Sequence, residues 1–260
     1  MSGIITLHRD EHVATLILDN EAKRNAISQS MWVALAEHLH VLTQDASLRC
    51  IVLRGAGTQA FGSGADISEF EELRSTKEKG IAFGKQAHQA MRALRESPIP
   101  TLAAIRGACV GGGLEIAACC DLRIASDDAR FGIPIARLGG VLAYPEMEAL
   151  LSAVGPQVAL ELLLEGRLLD AQEACAKGLV TRVVSTDAWE GEIASSVARI
   201  AALAPLSSRS HKRFIRRLQA QPEPLSQAEQ DEGYACFDTQ DFVEGYRAFL
   251  DKRSPVFQGK

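Results

Sequence analysis

The chain has 260 residues, of which 47% are apolar and 23% charged, and its formal net charge is −5. That balance excludes a disordered chain and is enough to bury a sizeable core. The mild acidity supplies no overall field that would favour nucleic acid or an anionic membrane surface. Six cysteines, at positions 50, 109, 119, 120, 175 and 236, include no C-x-x-C pair. Reduced, buried thiols are therefore expected, and a zinc site is not.

The N-terminal "MSGIITLHRDEHVATLIL" opens directly with strand-like alternation and carries no signal-peptide pattern. With no apolar run of about eighteen residues, the expectation is a cytoplasmic protein with no membrane partner. Residues 4–7 and 13–18 read as paired strands around "HRDEH". Ser28 reads as the N-cap of a helix reaching about residue 43, with Met31, Leu35, Leu39 and Leu42 on one face. "CIVLRG" is a short, wholly apolar strand of the kind buried on both faces of a sheet.

A Gly-rich loop, "GAGTQAFGSGADISEF", leads through polar sequence into a helix over about residues 80–95. A second buried strand at 101–105, the triplet Gly111-Gly112-Gly113 with its helix, and a third strand, "LRIAS", come next. Strand, Gly-rich turn and helix thus recur at about fifty residues' separation, which points to a spiral of repeated turns. Helical periodicity dominates after "GIPIARLGG", with one further strand at 179–184. Four helical segments cover about 187–204, 206–219, 225–237 and 241–252. The expected organisation is a core over 1–190 and a helical region over 191–260. The basic run "RSHKRFIRR" reads as a solvated helix face.

No P-loop, dinucleotide fingerprint or histidine ligand pair is present. "FGSGAD" departs from a nucleophile elbow because Phe61 stands where glycine is required. What remains are two Gly-rich turns, "FGSGAD" and "VGGGLE". Free N–H groups at such turns, backed by a helix N-terminus, can hold negative charge developing on an oxygen. Glu115 follows the second turn among Leu114, Ile116, Ala117 and Ala118. A carboxyl walled by apolar groups has its pKa raised toward neutrality, which suits proton transfer.

"AFGSGADISEF", "GACVGGGLEIAACCDLRIAS", "ARFGIPIARLG" and "EGYRAFLDKRSPVFQGK" resemble, in order and spacing, the motifs of the crotonase (enoyl-CoA hydratase/isomerase) family. The resemblance spans about residues 4–260. It implies an α/β fold, a spiral of ββα turns with a helical C-terminal region, and a homotrimer or a dimer of such trimers. It also implies a coenzyme A thioester substrate and no cofactor beyond the coenzyme A that the substrate carries. By motif position, the N–H groups of Ala65 and Gly112 would form an oxyanion hole. Lys23, Arg24, Ala26, Ser63, Asp66 and Ile67 would lie along the substrate and its coenzyme A. Phe249 and Lys252 would cover the adenine and phosphate, from a neighbouring subunit.

One departure stands out. The family's two-base hydratases carry a second glutamate in "F-x-x-P-E", and here the motif reads "FGIPIARLG", with Ile135 in that place. Hydration needs one group to take a proton from water and another to deliver one to the α-carbon. Glu115 would then act alone or with a group from "GGVLAYPEMEAL", which offers Tyr144, Glu146 and Glu148. The two glutamates, after Pro145, also read as ordinary helix-start charges. Three readings follow: hydration or double-bond shift by one glutamate; decarboxylation of a malonyl-type thioester, with Arg137 or Tyr144 meeting its carboxylate; or a non-catalytic acyl-CoA-binding protein.

Overall fold

Two N-terminal strands, β1 (Ile4–Asp10) and β2 (Val13–Asp19), pair antiparallel with Ile4 opposite Asp19. The structure is a computed structural model and describes residues 3–220, 223–232 and 234–260. After β2 comes α1 (Gln29–Leu42), where the Ser28 side chain accepts from the Met31 N–H, as its position predicts. Met31, Leu35, Leu39 and Leu42 are all buried.

The chain then repeats a long strand, a short strand and a helical segment. The first turn is β3 (Cys50–Gly55), β4 (Ala60–Gly62), α2 (Phe70–Leu73) and α3 (Lys77–Glu96). The second is β5 (Thr101–Ile105), β6 (Ala108–Val110) and α4 (Gly112–Cys119). The third is β7 (Leu122–Ser126), β8 (Arg130–Gly132) and α5 (Tyr144–Glu165). A last short turn adds β9 (Leu169–Asp170), α6 (Ala171–Ala176) and β10 (Arg182–Val184).

The strands sort into two sheets, with orders β1-β2-β3-β5-β7-β10 and β4-β6-β8-β9. From β2 to β10 the first sheet is parallel, as is β4-β6-β8 in the second. The repeated unit read from the sequence is therefore present. The expected Gly-rich turns, however, contain strands of two or three residues, too short to show any periodicity.

Leu53, Ala103, Ile105 and Ala125 face the main core with α1, α3 and α4, while Cys50, Val52, Leu102, Ala104 and Ile124 face Trp189 and Ile193. Those last two lie on α7 (Trp189–Ala201). The first helix beyond the predicted boundary near residue 190 thus packs on the sheet of the core. The remaining helices are α8 (Pro205–Ala220), α9 (Gln227–Glu232) and α10 (Gln240–Leu250).

Two expectations need correction. The basic run on α8 is not simply a solvated face. Lys212, only 10% exposed, reaches Asp121 at 2.5 Å and donates to the Ile99 carbonyl. Arg216 donates to the Ser97 carbonyl and Asp121, and Arg209 to the Ala46 and Leu48 carbonyls. These cations dock the helix on carbonyls of the loops leading into β3 and β5, an arrangement that charge counting does not distinguish from solvation. Secondly, α5 is long and apolar enough, by composition, to cross a bilayer. Its backbone breaks at Gly155 (φ 71°, ψ 174°) before Pro156, and it packs against α4.

Candidate functional site

The second sheet brings the two glycine turns into contact. A Cβ at Gly113 would collide with the Gly62 carbonyl oxygen, and one at Gly111 would lie 3.3 Å from the Gly64 Cα. Gly111 also holds φ at 49°, where a side chain would be strained. Glycine is therefore needed here for close backbone approach as well as for turning.

The loop before α1 fixes the first turn. Ile27 donates to the Gly64 carbonyl at 2.7 Å and accepts from the Asp66 N–H at 2.9 Å, a parallel bridge centred on Ala65. Such a bridge uses the groups flanking Ala65 and turns its own N–H to the opposite side. Gly112, the first residue of α4, has its N–H free by helix geometry. Among the described residues neither N–H has a hydrogen-bond partner. Trp32 on α1 packs its ring 3.4 Å from where a Gly112 Cβ would stand.

Glu115 lies three residues beyond Gly112 and therefore on the same face of α4. It is half-buried, and among the described residues no hydrogen bond reaches its carboxylate. Desolvation by the surrounding apolar groups pushes its pKa up to about 7, with a further rise from the Glu146 charge and an opposing pull from Arg74. Arg74 interacts electrostatically with both carboxylates, and its guanidinium lies 3.7 Å from the Phe83 ring centroid and 4.6 Å from that of Phe70.

The other residues singled out in the sequence divide. Lys23 donates to Asp66 at 2.7 Å and to Ser68 at 2.8 Å, so its ammonium is already engaged within the chain. Burial raises the Asp66 carboxyl, but the Lys23 and Ser68 hydrogen bonds outweigh it and hold the group below its usual range. Ser63 donates its hydroxyl to the Lys23 carbonyl and its N–H to the Arg24 carbonyl. Lys23, Arg24, Ala26, Ser63, Asp66 and Ile67 thus belong to one neighbourhood around Ala65, with Ala26 buried and Ile67 exposed.

Phe249 and Lys252 lie at the far end of α10, and Phe249 is 84% exposed. Among the described residues no hydrogen bond or ion pair ties them to the Ala65 turn. A groove of about 690 Å³ between α1 and α3, lined by His40, Glu37 and Glu96, contains none of the site residues.

Tyr144, the first residue of α5, is 92% exposed, unlike half-buried Glu115. Arg137 is likewise exposed, while Ile135 is half-buried against the core. Glu148 pairs with Arg95 at 2.9 Å and is 65% exposed. Glu146 differs from both. It starts the helix as expected, yet it is turned inward, 15% exposed, with Oε1 2.8 Å from His88 Nε2 on α3. No pattern along the chain marks this pair, since its members stand 58 residues apart. Nor does any pattern mark Asn25, whose buried amide donates to the Ala56 and Ala60 carbonyls and holds the entry to β4.

Residues 8–260 match the family model described as enoyl-CoA hydratase/isomerase. The chain is 30% identical over 257 residues to crotonyl-CoA hydratase of Syntrophomonas wolfei, covering 98% of both chains. It is 34% identical to a probable enoyl-CoA hydratase of Bacillus subtilis, covering 98% of this chain and 99% of the other. A crystal structure of an enoyl-CoA hydratase/carnithine racemase from Magnetospirillum magneticum superposes with a TM-score of 0.97 at 47% identity, covering 99% of this chain and 96% of that one. With the spiral of ββα turns and the paired glycine turns already described, these findings show that the chain belongs to the enoyl-CoA hydratase/isomerase, or crotonase, family of enzymes.

Proposed function

We propose that the chain hydrates an enoyl-CoA thioester, and by the same chemistry shifts its double bond, with Ala65 and Gly112 holding the thioester oxygen and Glu115 moving the proton. The observation that carries this reading is the pair of partnerless N–H groups, on two turns in backbone contact, one helical turn from a half-buried carboxyl. Adding or removing a proton beside a thioester carbonyl passes through an enolate. Two donors aimed at its oxygen lower that barrier, and one such donor contributes about 3–4 kcal/mol in other enzymes. A carboxyl pushed up to about 7 is populated in both protonation states at neutral pH, as proton exchange with carbon requires.

Coenzyme A would approach along Arg24, Ala26, Ser63, Asp66 and Ile67, with Lys23 positioning Asp66 rather than offering a free charge. The exposure of Phe249 supports a role for Phe249 and Lys252 toward a neighbouring subunit, in a trimer or dimer of trimers. Decarboxylation is not favoured, because Tyr144 and Arg137, its anion-binding candidates, are both exposed to solvent.

The test is hydration of crotonyl-CoA, followed by loss of enoyl absorbance, in the native protein and Glu115→Gln. Turnover in the first and its loss in the second are expected. Binding of butyryl-CoA without turnover, across enoyl thioesters of several lengths, would point to the acyl-CoA-binding protein instead.

A further inference from the structure

Ile135 leaves hydration one acid–base group short, and the protein interior supplies another from a different direction. Helices α3, α4 and α5 pack against one another, joining His88 to Glu146 by a hydrogen bond and setting the Glu146 charge close enough to act on Glu115. Glu146 Oε1 is held by His88 Nε2 at 2.8 Å. A carboxylate has no proton to give, so this bond is Nε2–H donating to oxygen. Glu146 Oε2 is buried and has no partner among the described residues. A buried acceptor left unpaired costs about 1–3 kcal/mol, so its retention calls for a use. Of the two glutamates at the start of α5, Glu148 is exposed on Arg95, whereas Glu146 is 15% exposed and its charge acts on Glu115.

We infer that Glu146 is the second catalytic residue, its Oε2 taking the proton from the attacking water, and that His88 is the positioning residue that aims it. This rests on the enoyl-thioester reading above. In the step, the water oxygen bonds to the β-carbon as one of its O–H bonds breaks, and that proton passes to Glu146 Oε2. The α–β π pair moves into the bond between the α-carbon and the carbonyl, and the thioester oxygen takes the negative charge between Ala65 and Gly112. As the enolate collapses, the α-carbon takes the proton carried by Glu115. The proton on Glu146 then leaves to solvent and Glu115 regains one, so each cycle consumes one water and needs no oxidant or reductant. The rise of the Glu115 pKa, caused first by burial and next by the Glu146 charge, keeps a protonated fraction available for this role.

Two reactions separate the carboxyl groups. Hydration of crotonyl-CoA needs both, whereas exchange of the α-hydrogens of butyryl-CoA with D2O, read by NMR, needs only Glu115 and the two N–H donors. Glu146→Gln is expected to lose hydration by on the order of 10²–10³-fold while keeping exchange and butyryl-CoA affinity. Glu115→Gln loses both reactions. His88→Ala is expected to lower kcat about tenfold with KM unchanged, and His88→Gln, which keeps an N–H donor, to restore it.

Full hydration by Glu146→Gln, or loss of exchange along with hydration, would overturn the inference while leaving the hydratase reading in place. If Glu146→Gln does not fold, the His88 pair decides: an unchanged kcat in His88→Ala would overturn it. If the native protein neither hydrates nor exchanges, the enoyl-thioester reading itself falls.

Discussion

Strands β2, β3, β5 and β7 of the long sheet run five to seven residues and are built from Leu, Ile, Val and Ala. Strands β4, β6 and β8 of the short sheet read "AFG", "ACV" and "RFG", three residues each. The same chain alternates between them, so the difference is one of task. The long sheet buries apolar side chains on both faces and holds its register through them. The short sheet brings backbone against backbone at Gly62 and Gly113, beside two N–H groups that have no partner among the described residues. Stability is concentrated in the first and the proposed chemistry rests on the second, so substitutions should separate the two.

The largest effect is expected from Glu115→Gln, which should lower hydration by about 10²–10⁴-fold while leaving the fold intact. It should also make the protein more stable in mild alkali. Because the folded pKa is raised, to about 7, the native state holds the proton more tightly than the unfolded chain. The resulting stabilisation is full below the unfolded carboxyl pKa and is lost as pH rises through about 7. The full span is about 3 kcal/mol. Denaturant midpoints across that range would show the native protein falling while Glu115→Gln stays level.

Next comes Gly113→Ala, whose methyl group meets the Gly62 carbonyl and pushes the turns apart. Loss of about 10²–10³-fold in turnover is expected as Gly112 leaves its place, together with a lower Tm. Equal turnover would mean that backbone contact in the short sheet does not set the donor geometry. Leu53→Ala, in the long sheet, is the counterpart. It should cost about 3 kcal/mol of stability and leave kcat/KM unaltered when measured well below its Tm.

Smallest is Asp66→Asn, which breaks the pair with half-exposed Lys23 beside the Ala65 turn. A loss of up to about 1 kcal/mol is expected at neutral pH. Since the Asp66 pKa is lowered in the fold, that contribution exists above the unfolded carboxyl range and vanishes as pH falls. Urea midpoints for both proteins should therefore converge in acid.

The same contrast governs how much of the molecule is legible in its amino-acid order. Long apolar strands announce themselves, and residues 50–55, 101–105 and 122–126 emerge within their observed bounds. Three-residue strands of Ala, Gly and Phe carry no period, so the second sheet is legible only as glycine turns. Glu115 can be found because one charge in an apolar helix is conspicuous along the chain. Glu146 emerges only as one of three candidates beside Tyr144 and Glu148, because at a helix start a carboxyl has an ordinary explanation and its partner His88 lies on a polar stretch of another helix. Tyr144 draws attention as a proton donor on residue type alone, and its place at the start of α5 leaves it in solvent.

The docking of Lys212 and Arg216 on Asp121 reaches further than the surface where it occurs. Asp121 stands two residues past the end of α4 and also accepts from the Thr101 N–H and hydroxyl, so one carboxylate ties α8 to the central strand β5. The helix that carries Glu115 is thus clamped at both ends, by glycine contact where it begins and by a pair of cations where it stops. The placing of Glu115 therefore depends on segments far apart in the chain. Slackening α8, some ninety residues downstream in sequence, should be felt as a blurred angle between a proton and a carbon.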